Sequence, residues 1–356
     1  MNFIEKMIDE VKASELPTIL YGSGALSVIV SKYLEEKGIS IIGFAADREY
    51  YKGNSMHDGK PVYILEEYIA ENPCNIILAF SYLSLEWENK IRNKAAAYQD
   101  TKIYILDFQA YLSLVGDHTS YETFYKNNKQ TLEKLRDELC DENSKSALDD
   151  FIEQKLTGTY RKPFSNDPQY FESDIIGLSD NEIFIDCGAF TGDTVIEFAE
   201  RLKQSGKFPY KKVYALEPDP QNAEELNKNL KDYENVTVIV KGVYDHTGIL
   251  HFTADANSGS RITDDGIEIE VTSIDDIIQD DNVTFIKMDI EGSELMALKG
   301  AEKTIRRCKP KLAICVYHRV EDLTTIPQYI KSLNPDYRLY FRKYWPNALE
   351  AVLYAV

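Results

Sequence analysis

Three ionisable side chains stand at every second position of the segment FIKMDIEG, residues 285–292. They are Lys287, Asp289 and Glu291. The apolar residues between them predict a strand, and alternation along it would place all three charges on one face. Charges on an otherwise buried strand are costly unless they pair with one another or bind a ligand. Because ligands of open α/β sheets bind at the carboxyl ends of strands, the segment predicts a ligand site around Asp289.

The residues that follow this strand predict a turn and a helix. Gly292 allows the chain to turn, and Ser293 is a candidate cap for the next helix. Glu294 is then interpreted as an acid of the first helical turn that stabilises the helix dipole.

A second candidate site is the turn in FIDCGAFTGDTVIEF, residues 184–198, where an apolar strand meets an amphipathic helix. A P-loop requires a lysine after its last glycine, and none follows Gly192. A dinucleotide-binding turn has a glycine where Phe190 stands, and Asp186 and Asp193 would repel pyrophosphate. S-adenosylmethionine carries no phosphate, and carboxylates nearby suit its ammonium and sulfonium charges. The turn therefore favours S-adenosylmethionine.

Glu217 ends the next predicted strand, in KKVYALEP. An acid at this position accepts hydrogen bonds from both ribose hydroxyls, a geometry that S-adenosylmethionine sites share with NAD sites. Glu217 therefore indicates an adenosine ligand without choosing between the two cofactors. The alternative is a solvated acid that caps the helix beginning at Pro220.

If the cofactor methylates a poorly nucleophilic acceptor, a general base or a metal ion should assist the reaction. The candidate bases are Asp289, Glu291 and His318, which ends the fifth predicted strand in CVYHR. The usual pKa of histidine, about 6.5, suits a base. The same three side chains are also candidate ligands of a divalent cation, Mg²⁺ or Mn²⁺. A structural role for the histidine is the third alternative, and the sequence leaves all three open.

The pattern of strands and helices divides the chain into three parts. Residues 1–115 alternate predicted strands with helices, which indicates a small doubly wound α/β domain with a parallel sheet. Residues 116–175 predict a linker of one or two helices followed by an extended segment. Residues 176–356 predict five alternating units, in which VTVIVKGVY is the third buried strand, a hairpin-like pair before the fourth strand, and a closing pair of strands. That order is typical of the seven-stranded, Rossmann-like sheet of class I methyltransferases.

Several segments of residues 180–356 resemble the FkbM-type S-adenosylmethionine-dependent methyltransferases: IDCGAFTGDT, ALEPDP, VIVKGVYDHTGILHF, SGSRI, FIKMDIEGSELMALKGA and ALEAVLYAV. The resemblance implies an O-methyltransferase that acts on a hydroxyl of a sugar, a glycan or a related natural product. The cofactor-binding residues that it implies are Asp186, Gly188, Gly192 and Glu217. We predict further cofactor contacts at Ala189, Phe190, Asp193, Thr194, Pro218 and Asp245. Asp289 and Glu291 would lie beside the transferred methyl group, and we predict Lys287 and His318 as catalytic residues with them.

The sequence departs from the family at one place. Near the last hairpin, relatives often have Arg-His-Tyr where this chain has Arg342, Lys343 and Tyr344. The departure puts in question a substrate contact or base that the histidine would supply.

The N-terminal domain has a weaker fingerprint of its own. Gly22, Ser23, Gly24 and Asp47 imitate a nucleotide-binding pattern, although Ser27 stands where the third glycine belongs. YGSGALS and GFAAD resemble the small nucleotide-sugar-binding domains attached to bacterial sugar-modifying enzymes. The resemblance implies a site for a nucleotide sugar or an acceptor; the alternative is a sheet used for packing or for self-association into a homo-oligomer.

Composition narrows the class of partner. A formal net charge of −19 disfavours nucleic acids and anionic lipids, and no apolar run reaches the roughly 18 residues of a membrane span. The N-terminal segment predicts a helix rather than a secretory leader, and the five cysteines form no C-x-x-C pair. We therefore expect a cytoplasmic protein with a small-molecule or glycan acceptor. A non-catalytic nucleotide-sugar-binding or scaffolding protein and an NAD-dependent oxidoreductase are the alternative classes.

Overall fold

The chain forms two compact units. The computed structural model describes residues 3–51, 53, 55–80, 85–96, 101–106, 121–159, 162, 164–253, 261–262, 267–278 and 280–356. The first unit comprises Met1–Thr123, Asp149–Pro163 and Trp345–Leu349, and the second comprises Phe124–Leu148, Phe164–Tyr344 and Glu350–Val356. The domain boundaries near residues 115 and 175 stay a prediction, because compactness alone does not show which segment folds independently.

The first unit is built on a largely parallel sheet. Its described strands are β1 (Thr18–Tyr21), β2 (Ile41–Ala46), β3 (Met56–His57), β4 (Lys60–Ile64), β5 (Asn75–Leu78) and β6 (Lys102–Tyr104). Its described helices are α1 (Phe3–Ser14), α2 (Ala25–Glu36), α3 (Leu65–Glu71) and α4 (Leu85–Ala96). The strand order is β3-β4-β2-β1-β5-β6, and β3 is antiparallel to β4. Leu20 packs with α1 and α2, whereas Ile19 and Tyr21 pack with α3 and α4, so helices cover both faces as predicted.

Three elements of the first unit were not predicted from the sequence. They are β3, β4 and α3, between residues 56 and 71. Asp58 and Gly59 both have positive φ, 47° and 74°, and form the tight turn between the two strands. These strands are short and lie at the sheet edge, where an apolar pattern is weak. None of the described helices of the chain is both long and apolar enough to cross a bilayer.

Two helices follow where helical spacing predicts them. They are α5 (Tyr121–Glu138) and α6 (Glu142–Thr157). The carboxylate of Asp141 accepts the N–H of Ser144 at 2.6 Å, which satisfies a free donor at the start of α6.

Buried ion pairs hold the segment that departs from the family pattern. The guanidinium of Arg342 donates to Asp141 at 2.9 Å and to Asp174 at 3.1 Å, and it is almost fully buried. The hydroxyl of Tyr344 donates to Glu172 at 2.7 Å. These contacts give Arg342 and Tyr344 a structural role.

The second unit has the predicted methyltransferase-type sheet. Its described strands are β7 (Ile183–Cys187), β8 (Lys212–Leu216), β9 (Val236–Ile239), β10 (Gly242–Val243), β11 (Gly248–Thr253), β12 (Arg261–Ile262), β13 (Ile267–Thr272), β14 (Phe285–Met288), β15 (Lys311–Cys315), β16 (Leu339–Lys343) and β17 (Ala351–Ala355). Its further helices are α7 (Asp193–Gln204), α8 (Pro220–Asn229), α9 (Ile274–Ile277), α10 (Glu294–Lys299), α11 (Glu302–Cys308) and α12 (Asp322–Leu333). Seven strands form one sheet in the order β16-β17-β15-β14-β7-β8-β9, in which β17 is antiparallel to both neighbours. The strand order reverses between β7 and β14, and such a switch point is where α/β sheets bind ligands.

A smaller sheet accounts for one wrong strand prediction. VTVIVKGVY was interpreted as a single buried strand, but β9 ends at Ile239 and β10 joins the small sheet β10-β13-β11-β12. The N–H of Lys241 donates to the carbonyl of Ile239 at 2.9 Å, a three-residue turn that ends the ladder. The predicted hairpin-like pair is confirmed as β11 antiparallel to β13.

The segment predicted as extended contributes to the core of the second unit. Phe171 packs with Phe184 of β7 and Phe285 of β14, whose rings stack at 4.9 Å between centroids. The ring of Phe171 lies 6.0 Å from that of Phe285. This packing fixes the neighbouring residue, Tyr170, above the ends of the central strands.

The close approach of β7 and β14 at the switch point depends on Gly188. Its φ is +79°, and a Cβ at this position would lie 2.0 Å from the backbone oxygen of Asp289. The N–H of Asp289 donates in turn to the carbonyl of Cys187 at 3.1 Å. The two strand ends therefore meet only because residue 188 has no side chain.

We predict that Gly188→Ala lowers the free energy of unfolding by at least about 2 kcal/mol more than Gly206→Ala. Gly206 has a similar φ of +69° and nothing within 4 Å of its added Cβ, so the strain of positive φ is common to both variants. The difference therefore reports the steric clash at Asp289. Urea unfolding of both variants measures it, and equal losses would contradict the close approach.

Candidate functional site

A buried ion pair lies beneath the glycine turn. Lys287 of β14 stands opposite Asp186 of β7, and Lys287 Nζ lies 3.1 Å from Asp186 Oδ1. Lys287 Nζ also donates to the carbonyl of Gly188 at 2.8 Å. The Asp186 carboxylate is fully buried, so it acts on the turn through Lys287 rather than by reaching into the crevice.

Burial and mutual charge oppose each other in setting the pKa values of this pair. It raises the pKa of Asp186 to about 6, although the charge of Lys287 works against it. Burial would lower the pKa of Lys287, but the charges of Asp186 and Asp289 outweigh it and raise that pKa. The pair is therefore ionised at neutral pH.

Glu217 lies at the carboxyl end of β8 and holds the turn from the other side. Its Oε2 accepts the N–H of Phe190 at 2.9 Å, and its Oε1 accepts the N–H of Asp219 at 3.0 Å. Phe190 has a φ of +47° and a ring that is 54% exposed. Burial raises the pKa of Glu217, although those two N–H groups work against it. Asp219 itself caps the helix that begins at Pro220, so Glu217 is not the solvated cap that the sequence left open.

The other predicted cofactor-binding residues divide by position. Ala189 and Thr194 are buried beside the turn, Gly192 precedes α7 with a φ of +95°, Asp193 begins α7 with an exposed side chain, and Pro218 follows Glu217. Asp245 follows β10, where its carboxylate contacts the ring of His246. No described contact joins Asp245 to the glycine turn.

Asp289 stands directly after β14, with a side chain that is 25% exposed. The hydroxyl of Tyr170 donates to its Oδ2 at 2.8 Å. Burial would raise its pKa, but the charges of Lys287 and His318 and the Tyr170 hydroxyl lower it below the usual range. Asp289 is therefore an ionised hydrogen-bond acceptor that faces the crevice.

A closed ring of polar side chains surrounds this carboxylate. The hydroxyl of Tyr317 lies 3.3 Å from Asp289 Oδ1 and 3.3 Å from Glu350 Oε1. Gln169 Nε2 donates to Glu350 Oε2 at 2.5 Å and to the hydroxyl of Tyr170 at 2.9 Å. We call Gln169, Tyr170, Asp289, Tyr317 and Glu350 the polar ring. Its carboxylates and hydroxyls are suited to accept and donate hydrogen bonds to a polyhydroxylated ligand.

His318 lies among carboxylates on the other side of Asp289. Its Nδ1 is 3.0 Å from Glu294 Oε1, and its Nε2 is 3.4 Å from Asp289 Oδ1 and 3.6 Å from Glu291 Oε2. Burial would lower the pKa of His318, but Glu294 and then the other two carboxylates raise it to about 10. The imidazole of His318 is therefore positive at neutral pH, which favours a positioning role for this residue over the role of a base.

The interpretation of Glu291 as part of a charged strand face is wrong. Strand β14 ends at Met288, and Glu291 lies in the turn with a φ of +55° and a half-exposed side chain. Gly292, with a φ of +92°, completes the turn as predicted. Ser293 makes no capping hydrogen bond, contrary to the prediction. Glu294 Oε1 accepts the N–H of Ile290 at 2.9 Å.

Sequence reasoning missed Gln169, Tyr170, Glu294, Tyr317 and Glu350. Two of them had a usable signal. Tyr317 directly precedes His318 at a predicted strand end, and Glu350 directly precedes the closing strand β17. Because that strand is antiparallel to β15, its first residues lie beside the carboxyl end of β15. Tyr170 and Gln169 come from an irregular segment whose path no periodicity predicts.

In the first unit, Asp47 of the weak nucleotide fingerprint forms an ion pair. Lys94 Nζ donates to Asp47 Oδ1 at 2.8 Å. Burial would raise the pKa of Asp47, but the hydrogen bonds from Lys94 and Tyr21 and the charge of Lys94 lower it. Gly22 has a φ of +126° after β1, and its N–H donates to the carbonyl of Ala45 at 2.9 Å. A nucleotide-sugar site here stays a prediction.

The sheet order and the turn at its switch point define a class I methyltransferase fold. A family model described as the methyltransferase FkbM domain matches residues 186–344. The resemblance to FkbM-type methyltransferases that the sequence indicates is confirmed over these residues. No curated protein matches the sequence.

One solved structure is similar over almost the whole chain. It is methyltransferase FkbM from Methylobacillus flagellatus KT, with 25% identity and a TM-score of 0.73, and the match covers 98% of this chain and 93% of that one. An rRNA methylase from Streptococcus thermophilus matches at 19% identity and a TM-score of 0.33, over 50% of this chain and 87% of its own. Aeropyrum pernix fibrillarin with natively bound S-adenosyl-L-methionine matches at 16% identity and a TM-score of 0.31, over 51% and 70%.

The polar ring generates a pH prediction. Burial and the charge of Asp289 raise the pKa of Glu350 from 4.5 to about 6. The folded state therefore holds this proton more tightly than the unfolded state, so stability falls as the pH rises from about 4.5 to about 6. Relative to Glu350→Gln, which does not titrate, we expect wild type to lose about 1–2 kcal/mol across this window.

Urea unfolding of both proteins at pH 4.5, 5.5 and 7 measures this difference. A constant difference between wild type and Glu350→Gln across the three pH values would contradict the burial of the Glu350 carboxyl.

Proposed function

We propose that this methyltransferase transfers a methyl group from S-adenosylmethionine to a hydroxyl of a sugar, a glycan or a related natural product. The observation that carries the proposal is the position of the polar ring, directly beside the glycine turn at the switch point. The turn has the properties of a cofactor site, and the ring has those of a hydroxyl site. We further propose that the protein acts in the cytoplasm.

The residues of the turn suit the cofactor. Gly188 and Gly192 leave open backbone, and Glu217 is fixed by the N–H groups of Phe190 and Asp219 with lone pairs left for ribose hydroxyls. Phe190 and the acids of the turn disfavour a pyrophosphate. When bound, S-adenosylmethionine supplies an electrophilic methyl group on a positive sulfonium.

The residues of the chain supply position rather than strong base chemistry. Methyl transfer is an in-line displacement, so holding the acceptor oxygen in line contributes most of the rate. Asp289 is suited to accept the hydrogen bond of the acceptor hydroxyl, and Tyr170 fixes the orientation of its carboxylate. Glu350, whose pKa is close to neutral pH, is the ring member best suited to take up the proton through Tyr317.

For the cofactor, we predict that S-adenosylhomocysteine binds and that NAD does not, by isothermal titration calorimetry. Glu217→Gln should weaken binding by about 1–3 kcal/mol, since it removes a charged hydrogen-bond acceptor. Glu224→Gln, an exposed acid of the neighbouring helix α8, is the matched control and should leave the affinity unchanged. Binding of NAD but not of S-adenosylhomocysteine, or equal affinity in Glu217→Gln and Glu224→Gln, would contradict the assignment of this turn as the cofactor site.

For the acceptor side, we predict that Asp289→Asn lowers turnover by roughly 10²–10⁴, the usual contribution of a positioned acid or base. The affinity for S-adenosylhomocysteine should stay within about threefold, because the ribose is held by Glu217. The measurement is the transfer of a labelled methyl group from S-adenosylmethionine to a mixture of hydroxylated acceptors. Asp180→Asn, at an exposed acid, is the control. Unchanged turnover in a stable Asp289→Asn protein would show that Asp289 does not face the acceptor.

A further inference from the structure

A group of side chains next to the polar ring has more negative charge than its neighbours compensate. His318 is surrounded by Asp289, Glu291 and Glu294 at distances of 3.0–3.6 Å, and we call these four residues the acid–histidine cluster. Asp322, almost fully buried, adds a further carboxyl group, and burial and the charge of Glu294 raise its pKa well above the usual range. The positive charge of Lys287 is already paired with Asp186. A single imidazolium therefore faces three carboxylates and one buried carboxyl group.

Two members of the cluster carry buried polar atoms that have no hydrogen-bond partner among the described residues. His318 is 5% exposed, and neither of its ring nitrogens has a hydrogen bond of acceptable geometry. Glu294 is fully buried, and its Oε2 has no partner either. Buried polar atoms are almost always satisfied by protein, by ordered water or by an ion. Buried polar atoms left unsatisfied in one cluster point to a bound group at this place.

The arrangement of ligand atoms identifies the class of that group. Asp289, Glu294 and His318 each offer one ligand atom, and the three atoms lie within 4.8 Å of one another. Ligands of a small divalent cation stand about 3–4 Å apart when each is about 2.1 Å from the metal. Small side-chain rotations therefore suffice to close the cluster around an ion. Two carboxylates and an imidazole are hard and borderline ligands, which suit Mn²⁺ and similar divalent cations.

We propose that Asp289, Glu294 and His318 bind a divalent cation. The set differs from the one considered from the sequence, because Glu291 lies in the exposed turn and Glu294 replaces it from helix α10. Since the neutral imidazole binds the metal, the cation takes the place of the imidazolium proton and satisfies Glu294 Oε2. Its use in holding an acceptor hydroxyl beside Asp289 rests on the proposed function.

The test is a titration of the full chain, first stripped with EDTA, with Mn²⁺ as the probe. Loss of the free Mn²⁺ signal in electron paramagnetic resonance reports binding, and we expect one tight site per chain. Glu294→Gln and His318→Gln should each lower the affinity at least about tenfold. His251→Gln is the control and should leave the affinity unchanged. His251 and Glu268 form an exposed pair at 3.5 Å, with no third ligand among the residues that the structure describes.

Two outcomes would overturn the proposal. One is the absence of a one-to-one Mn²⁺ site in wild type, which would leave His318 as an ion-pair partner of Glu294. The other is a site that survives in both cluster variants. If either variant fails to fold, electron spin-echo modulation of the wild-type Mn²⁺ complex decides the matter, and lack of coupling to an imidazole nitrogen counts against the proposal.

The same sample separates this inference from the proposed function. Calorimetry of the EDTA-treated protein with S-adenosylhomocysteine tests the cofactor site without metal. Binding of S-adenosylhomocysteine in a protein that takes up no Mn²⁺ defeats only the cation site. A protein that takes up Mn²⁺ but ignores S-adenosylhomocysteine defeats the proposed function instead.

Discussion

The buried ion pair between Asp186 and Lys287 is the interaction on which the site depends. It joins the two strands at the switch point, and Lys287 Nζ extends the link to the carbonyl of Gly188. Removing one partner of such a pair leaves an unpaired charge in a medium that cannot solvate it, which costs several kcal/mol. The pair therefore fixes the glycine turn against Asp289, and the positions of the other site residues depend on that arrangement.

Different surroundings give two chemically similar carboxyl groups of the site, Asp289 and Glu350, different pKa values. Asp289 faces the positive charges of Lys287 and His318, so its pKa is lowered despite burial. Burial and the negative charge of Asp289, which lies on the other side of Tyr317, together raise the pKa of Glu350 to about 6. Neighbouring acids whose pKa values are pushed apart in this way are suited to different tasks in one reaction. One orients a hydroxyl, and the other is poised to gain and lose a proton near neutral pH.

The central elements of the fold were predictable because buried parallel strands are short apolar runs separated by helices. The glycine turn, Glu217, Lys287 and Asp289 were predictable for the same reason, since each lies at a strand end. The polar ring was not, because Tyr170 reaches Asp289 from an irregular segment about 120 residues earlier in the chain. The burial of Glu294 beside His318 was hidden as well, since a surface acid and a buried acid in a first helical turn have the same sequence context.

The measurement that tests the central claim most directly is a double-mutant cycle on the buried pair. Urea unfolding of wild type, Asp186→Asn, Lys287→Met and the double variant gives the interaction energy between the two side chains. We predict that each single change costs about 3–5 kcal/mol and that the double variant costs at least about 2 kcal/mol less than their sum. Additive losses would show that the two charges do not depend on each other, and would contradict the account of the site.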